Sequence, residues 1–481
     1  MVKGASNSRM LISQKNYKAK EAPMSINTIN SDSKHVKSVI QNLRTNDKLP
    51  FTDVLSPQSI NSKINGISYR QRVFSPELTV FGFLSQALGA DQSCQAAVSQ
   101  IIAHLVSQGK SAPSANTSAY SQARSRLSEK ILSDLAKESA AELEKQAKLE
   151  WLWRNRHVKM PDGTTVSMPD TPENQAMYPQ PASQKLGIGF PIARLVGVFS
   201  LGTGALLDLA MAPWSGKETG EHALLRQLMH VFEAGDVVLG DAYYGSFFLI
   251  AILMKMNVDA VFPMHTSRRH DFRKGKRLGK KDHIVEWKKP AKPEWMDVQT
   301  YADYPDTITV RETTIIDARP GHRRKSRILV STFLNAKEVT PQDLGILYGY
   351  RWFVELNLRS VKEIMRMDIL RSKTPEMIHK EIWAHILAYN LVRKIMAQAA
   401  VIYQRNPREM SFKLALQMMS AFRQAGILSE NNKIYASFLQ SIAYKKVGNR
   451  SGRSEPRMVK RRPKAFPRLQ KPRDYYHRKV A

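Results

Sequence analysis

LYGYRWFVELNLRSVKEIMRM, residues 347–367, carries Tyr348, Arg351, Glu355 and Lys362 at the spacing Y-x2-R-x3-E-x6-K. Apolar residues fill the intervals and no Gly or Pro follows Gly349, so the stretch predicts one amphipathic helix. At ~100° per residue, Tyr348, Arg351 and Lys362 fall within ~40° of Glu355, on one narrow stripe with Arg359 and Arg366 at its margin. One carboxylate among long cations suits a site that holds a metal ion and a phosphate backbone together. Taken alone, the same stripe also describes a solvated face with ordinary i,i+4 pairs. The rest of the chain decides between the two.

The 481 residues suffice for two or three domains. Lys and Arg number 73 against 42 Asp and Glu, a net +31, which implies a polyanionic partner, most simply nucleic acid. No apolar run approaches the ~20 residues that span a bilayer; FFLIAILMKM at 247–256 is too short and contains Lys255. The N-terminus MVKGASNSRM lacks the apolar core of a secretory signal. Cys94 is the only cysteine, which excludes internal disulfides and cysteine-based zinc sites. The expected setting is the cytoplasm, with no membrane partner.

Residues 1–70 read as a basic, flexible arm rich in Ser, Asn and Lys. Residues 71–150 read as a small helical domain with helices at about 75–90, 91–108 and 116–148; Ser75 is the expected N-cap before Pro76. From residue 151 the order becomes a strand running into a turn at Asp162-Gly163, a hairpin at 193–211 around Gly-Thr-Gly, a helix at 221–235, a buried strand from Val237 to Leu239, a buried helix at 247–256 and a strand at 259–265. That order predicts an α/β fold with a mixed sheet flanked by helices. Residues 266–340 form a basic, β-rich insertion with strands near 307–316 and 327–334; 341–405 return to helices, and 406–481 hold further helices and a basic tail.

Two more acids stand out. Asp241 closes the 237–239 strand, and ligands commonly bind at that carboxyl edge of an open α/β sheet. Asp162 sits in MPDGTTV on the first strand; Asp170, eight residues on, competes for the same role but suits a turn ahead of Pro172. Phosphodiester hydrolysis followed by joining of a 3′-hydroxyl requires in-line attack on a charged phosphate. Two hard cations ~3.5–4 Å apart serve both oxygens of that displacement. Three carboxylates suffice for Mg²⁺ without His or Cys ligands.

With Asp162, Asp241 and Glu355 in this order, the chain resembles the DDE transposases of the bacterial insertion-sequence-four family, whose YREK signature matches Tyr348, Arg351, Glu355 and Lys362. DGTTVSMPDTPEN, GDVVLGDAYYGSF and LYGYRWFVELNLRSVKE stand where that family carries its three acids, and the resemblance covers roughly residues 70–405. It implies a ribonuclease H-like catalytic domain over 151–265 and 341–405, interrupted by an insertion domain at 266–340. It implies that Asp162, Asp241 and Glu355 ligate two Mg²⁺ ions, with Mn²⁺ able to substitute. Tyr348, Arg351 and Lys362 would contact phosphates of the transposon end. An aromatic side chain, with Trp287, Trp295 and Trp352 as candidates, would hold a flipped base while a DNA hairpin forms. The 71–150 helices would recognise the terminal inverted repeats of double-stranded DNA, and a homodimer would pair the ends before they join target DNA.

Arg268, Arg269 and Arg273 lie in the run TSRRHDFRKGKR, whose irregular spacing suits backbone tracking rather than one helix face. Ala242 departs from the resemblance, since many relatives carry Arg after the second Asp. That leaves two competing readings: a catalytically impaired, transposase-derived regulator or inhibitor, and an RNA-processing nuclease of the same fold. The latter has no need for a basic insertion.

Overall fold

The computed structural model describes residues 55–64, 73–185, 187–317, 325–424 and 432–447, together with Lys471 and Tyr475. Most of the expected N-terminal arm and of the basic tail lies outside the described residues. Within the arm's span, however, Pro57–Ile64 forms a helix (α1) that buries Ile60. Four helices follow: α2 (Pro76–Leu88), α3 (Cys94–Ser107), α4 (Ser118–Arg126) and α5 (Glu129–Lys145). Ser75 caps α2 as expected, accepting from the Leu78 amide at 3.2 Å. The expected 116–148 helix is two helices, because Leu127 is extended and Ser128 caps α5 anew.

The strands are β1 (Val158–Ser167), β2 (Ile192–Ser200), β3 (Leu206–Pro213), β4 (Val237–Leu239), β5 (Asp259–Pro263), β6 (Lys276–Gly279), β7 (Asp282–Lys288), β8 (Thr307–Asp317) and β9 (Lys325–Ser331). Helix α6 (Glu221–Gln227) precedes β4, and α7 (Phe247–Lys255) joins β4 to β5. Among the described residues the nine strands form one sheet in the order β3-β2-β1-β4-β5-β9-β8-β7-β6. The pairs β1–β4 and β4–β5 are parallel and all others antiparallel. The strands of the basic stretch therefore extend the same sheet, β9 pairing directly with β5.

Asp162-Gly163 does not turn. Residues Lys159 to Ser167 pair without interruption with β2, Asp162 opposite Gly197, and that tertiary pairing overrides the local turn preference of Asp-Gly. The 221–235 helix is also shorter than expected, ending at Gln227 before a 3₁₀ turn at Met229–Val231.

Both faces of the sheet are covered, so β4 alternates between two cores. Val237 and Leu239 join the cluster under the long helix α10 (Pro375–Ile402), whereas Val238 joins Leu224, Leu225, Phe247 and Ile250 of α6 and α7. Helices α2 and α5 lie along α10 and share its core, so the N-terminal helices are packed onto the sheet-bearing unit. After β9 come α8 (Pro341–Tyr350) and α9 (Trp352–Arg359), a π turn over Ser360–Ile364, then α10, α11 (Phe412–Gln424) and α12 (Asn432–Tyr444). Helix α8 opens on a capping box formed by Thr340 and Asp343.

A buried ion pair locks β7 to β8. The fully buried Arg311 donates through Nε and Nη2 to both Asp282 oxygens at 2.7 Å, and Thr313 donates to the same carboxylate at 2.7 Å. Arg311→Ala leaves that carboxylate buried without its cation, with an expected loss of ~3–5 kcal/mol in urea unfolding. A loss below ~1 kcal/mol would mean the pair is not what holds these strands.

Candidate active site

The expected single helix over 347–367 is broken twice. Arg351 ends α8 and begins α9 with i→i+3 bonds, its amide to the Tyr348 carbonyl and the Val354 amide to its own carbonyl, both 3.1 Å. The π turn at Ser360–Ile364 then widens the spiral around Lys362, so uniform α-helical spacing no longer relates it to Glu355. Arg351 and Glu355 keep their i,i+4 relation and form an ion pair.

Parallel pairing brings the two aspartates near each other. Val158 of β1 lies opposite Val237 of β4 and Lys159 opposite Val238, and Asp241, two residues past the end of β4, lies close enough for its charge to act on Asp162. Neighbouring strands are ~4.8 Å apart. Strand alternation turns Asp162 to the face it shares with Met160, the face on which α9 packs against β1. Because β4 ends at Leu239 while β1 runs on to Ser167, a crevice opens beyond the carboxyl end of β4. Asp241 Oδ1 accepts from the Tyr243 amide at 2.9 Å, which fixes the turn leaving the strand.

Burial pushes the Asp162 carboxyl up to about 6. The Gly163 amide, 2.8 Å from Oδ1, and the Arg351 guanidinium pull it down, while Asp241 and Glu221 push it further up. Burial alone would lower Arg351, but Glu355, Tyr348 and Asp162 hold it above its usual range. One guanidinium thus serves a carboxylate on the helix and another on the sheet.

Sequence reasoning missed Glu221 and Tyr244. Glu221 opens α6 on the opposite face of β1, and its carboxylate occupies the space a Cβ on Gly163 would need, 2.3–2.8 Å away. Tyr244 donates to Glu221 Oε2 at 3.3 Å. Burial, then Asp241, raises the Glu221 carboxyl, and burial with the surrounding acids raises the Tyr244 hydroxyl. The available signal was the glycine next to Asp162; nothing near Glu221 in the chain marks it.

Asp162 and Asp241 offer paired hard-oxygen donors in a partly desolvated crevice, which fits a hard cation. Glu355 is turned to Arg351, and among the described residues no three His, Cys, Asp or Glu side chains are gathered closely enough to hold a metal ion. Asp170 instead accepts from Gln175 at 2.8 Å beside the Pro172 helix.

The other candidates divide. Tyr348 is buried, with Arg327 at 5.8 Å from its ring centroid, so as placed it does not face a DNA backbone. Trp287 is 5% exposed, donates to Glu312 at 2.9 Å and carries Arg268 at 3.5 Å over its ring. It is a core residue of the sheet, because its polar atom and one face are already engaged, and a base cannot reach it. Trp295 is 41% exposed under Arg226, whose guanidinium lies 3.8 Å from its ring centroid, and Trp352 is exposed beside Arg351. Arg269 and Arg273 are exposed, the latter paired with Asp271 at 2.9 Å, whereas burial lowers Arg268.

No helix among the described residues is long and apolar enough to cross a membrane. The transposase DDE domain family matches residues 158–391, a span that contains all three acids and the whole Y-R-E-K series. The transposase InsG for insertion sequence element IS4 of Escherichia coli (strain K12) is 27% identical over 437 residues, covering 86% of this chain and 92% of its own length.

Proposed function

Since the chain belongs to the DDE transposases of the insertion-sequence-four kind, we propose that it moves an insertion sequence by cut-and-paste transposition, with Asp162, Asp241 and Glu355 as its three acids. Transposases act on DNA, and the net charge of +31 suits such a partner. The observation that carries the reading is that β1 and the end of its parallel neighbour β4 bring Asp162 and Asp241 close enough to act on each other's charge, with the helix that bears Glu355 packed against β1.

On this reading the catalytic unit is ribonuclease H-like, 266–340 is its inserted β-rich portion, and the acids hold two divalent ions, Mg²⁺ or Mn²⁺. Bound ions supply an activated oxygen nucleophile and stabilise the leaving oxygen. Asp162 and Asp241 present their carboxylates from the sheet. Glu355 joins them when Arg351 releases it and turns to a phosphate of the incoming strand, an exchange of one anion for another that leaves the guanidinium neutralised throughout. Lys362 and the loop carrying Arg268, Arg269 and Arg273 track the backbone; Trp295 and Trp352 remain the candidates for holding an unstacked base as a hairpin forms. The 71–150 helices read the terminal inverted repeats, and a homodimer pairs two ends before strand transfer into target DNA.

Incubating the chain with labelled DNA bearing the element's ends, with and without Mg²⁺, tests this. Wild type is expected to nick the ends, and Glu355→Ala to lose nicking by roughly 10²–10³-fold at unchanged end binding. Normal cleavage by Glu355→Ala removes the third acid from the scheme. Wild type that binds ends but never nicks them is the regulator that Ala242 hints at, not a working transposase.

A further inference from the structure

Arg393 of α10 is 3% exposed, yet it makes no ion pair among the described residues. Its hydrogen-bond partners are neutral: Nε donates to the Tyr389 hydroxyl at 3.0 Å, Nη2 to Asn357 Oδ1, and Nη1 faces Met396 Sδ at 3.9 Å. The Tyr389 and Phe412 ring centroids each lie 5.3 Å away. Tyr389 passes its own proton to the Gly204 carbonyl at 2.6 Å. Gly204 has φ +73°, and a Cβ there would lie 2.8–3.0 Å from the guanidinium, so both conformation and space require glycine. One buried cation therefore joins α10, the β2–β3 turn and α9.

Its grip on α9 falls at a telling place. Asn357 is buried and stands two residues after Glu355, ~200° around the helix. Asn357 faces the core while Glu355 faces the crevice. Helix α9 has no side-chain cap at its start, where it continues from α8 through Arg351, and runs into a π turn at its end, so Asn357 is the side chain by which Arg393 grips it between two irregular junctions. A buried charge without a counter-charge is costly, even when aromatic faces offset part of that cost. A well-packed apolar pair would be at least as stable in the same place.

We propose that Arg393 is a positioning residue for strand cleavage: through Asn357 it sets the rotation of α9 so that Glu355 meets Asp162 and Asp241 in the crevice. This rests on the three acids acting as proposed above. The double variant Arg393→Met/Asn357→Leu removes both polar partners together and fills their space with apolar side chains in the full-length chain. Its thermal midpoint is expected to equal or exceed that of wild type, with end-DNA binding unchanged. Single-turnover nicking at saturating DNA falls by about 100-fold, the scale of a small misplacement of a reacting group. Mn²⁺ affinity, read by electron paramagnetic resonance without DNA turnover, weakens several-fold. Arg393→Lys, which keeps the charge but loses the fork, lies between the two. The inference is overturned if the stable double variant nicks and binds Mn²⁺ as wild type does, or if its losses simply track a lowered midpoint. Wild-type nicking in the same assay reports separately on the functional reading, and the Mn²⁺ titration judges Arg393 even where nicking is absent.

Discussion

Asp241→Ala is expected to abolish strand cleavage, by at least about a thousand-fold, while the variant still folds and binds transposon ends. The magnitude follows from the role: a carboxylate that holds a cation against a developing oxyanion contributes several kcal/mol, and ~4 kcal/mol is a factor of ~10³. The structural cost is small, since the lost bond is one cap to the Tyr243 amide, worth ~1 kcal/mol. Binding persists because affinity for a duplex comes from cations on the phosphates, and removing a negative charge works in its favour. Gel-based cleavage alongside filter binding at matched salt separates the two quantities. A variant that cleaves within tenfold of wild type would remove Asp241 from the proposed metal-binding set and leave its closeness to Asp162 without a catalytic purpose.

Asp162→Asn should stabilise the protein at pH 8 and silence it at once. The Asp162 carboxyl sits at about 6 because burial penalises its charged form. An ordinary aspartate ionises near ~3.9. The folded chain thus keeps a proton that the unfolded chain releases, so this group's favourable contribution is complete below pH ~4 and is lost as pH rises through ~6. At pH 8 the ionised, metal-free carboxylate costs up to ~2–3 kcal/mol, which an uncharged asparagine avoids while Oδ1 still accepts from the Gly163 amide. Calorimetry should show a gain of a few degrees in Tm at pH 8 that shrinks toward pH 4, with cleavage lost throughout. Equal midpoints at pH 8 would mean the carboxylate carries no strain. In wild type, protons and metal compete for the same oxygens, so cleavage should decline as pH falls below about 6.

Elements with strong local signals were legible from the chain alone. Ser75-Pro76 announced a helix start, Gly-Thr-Gly a hairpin, and the Val237–Leu239 run a buried strand, all as observed, with Asp241 two residues past the strand's end. What sequence periodicity could not supply was anything decided by distant partners. Asp-Gly at 162–163 looked like a turn because the β2 partner that keeps it extended lies some thirty-five residues away in register. Trp287 looked like a base platform because Glu312 and Arg268, which occupy its edge and face, belong to other segments. Residues 347–367 kept helical periodicity through a 3₁₀-like junction and a π turn, neither of which changes residue type, so one continuous helix was expected where the structure has two helices and a π turn. Glu221 was invisible for the plainest reason: its neighbour Gly163 is adjacent only across the sheet.

The continuity of the nine strands has a consequence for how DNA meets the acids. Adjacent strands rotate by ~20–25° in a fixed hand, so the four steps from β5 through β9, β8 and β7 to β6 accumulate ~80–100°. At ~4.8 Å per strand the same steps also carry the edge ~19 Å away from β5. One step further back, β4, beyond whose carboxyl end Asp241 stands, is turned by ~100–125° from the outermost ribbon, on which Lys276 and Arg277 are exposed, so that ribbon is expected to cross it steeply. A rigid duplex held along one direction by the acids would meet that ribbon broadside, as a rod meets a crossbar, and the sheet's own handedness sets the angle without a hinge.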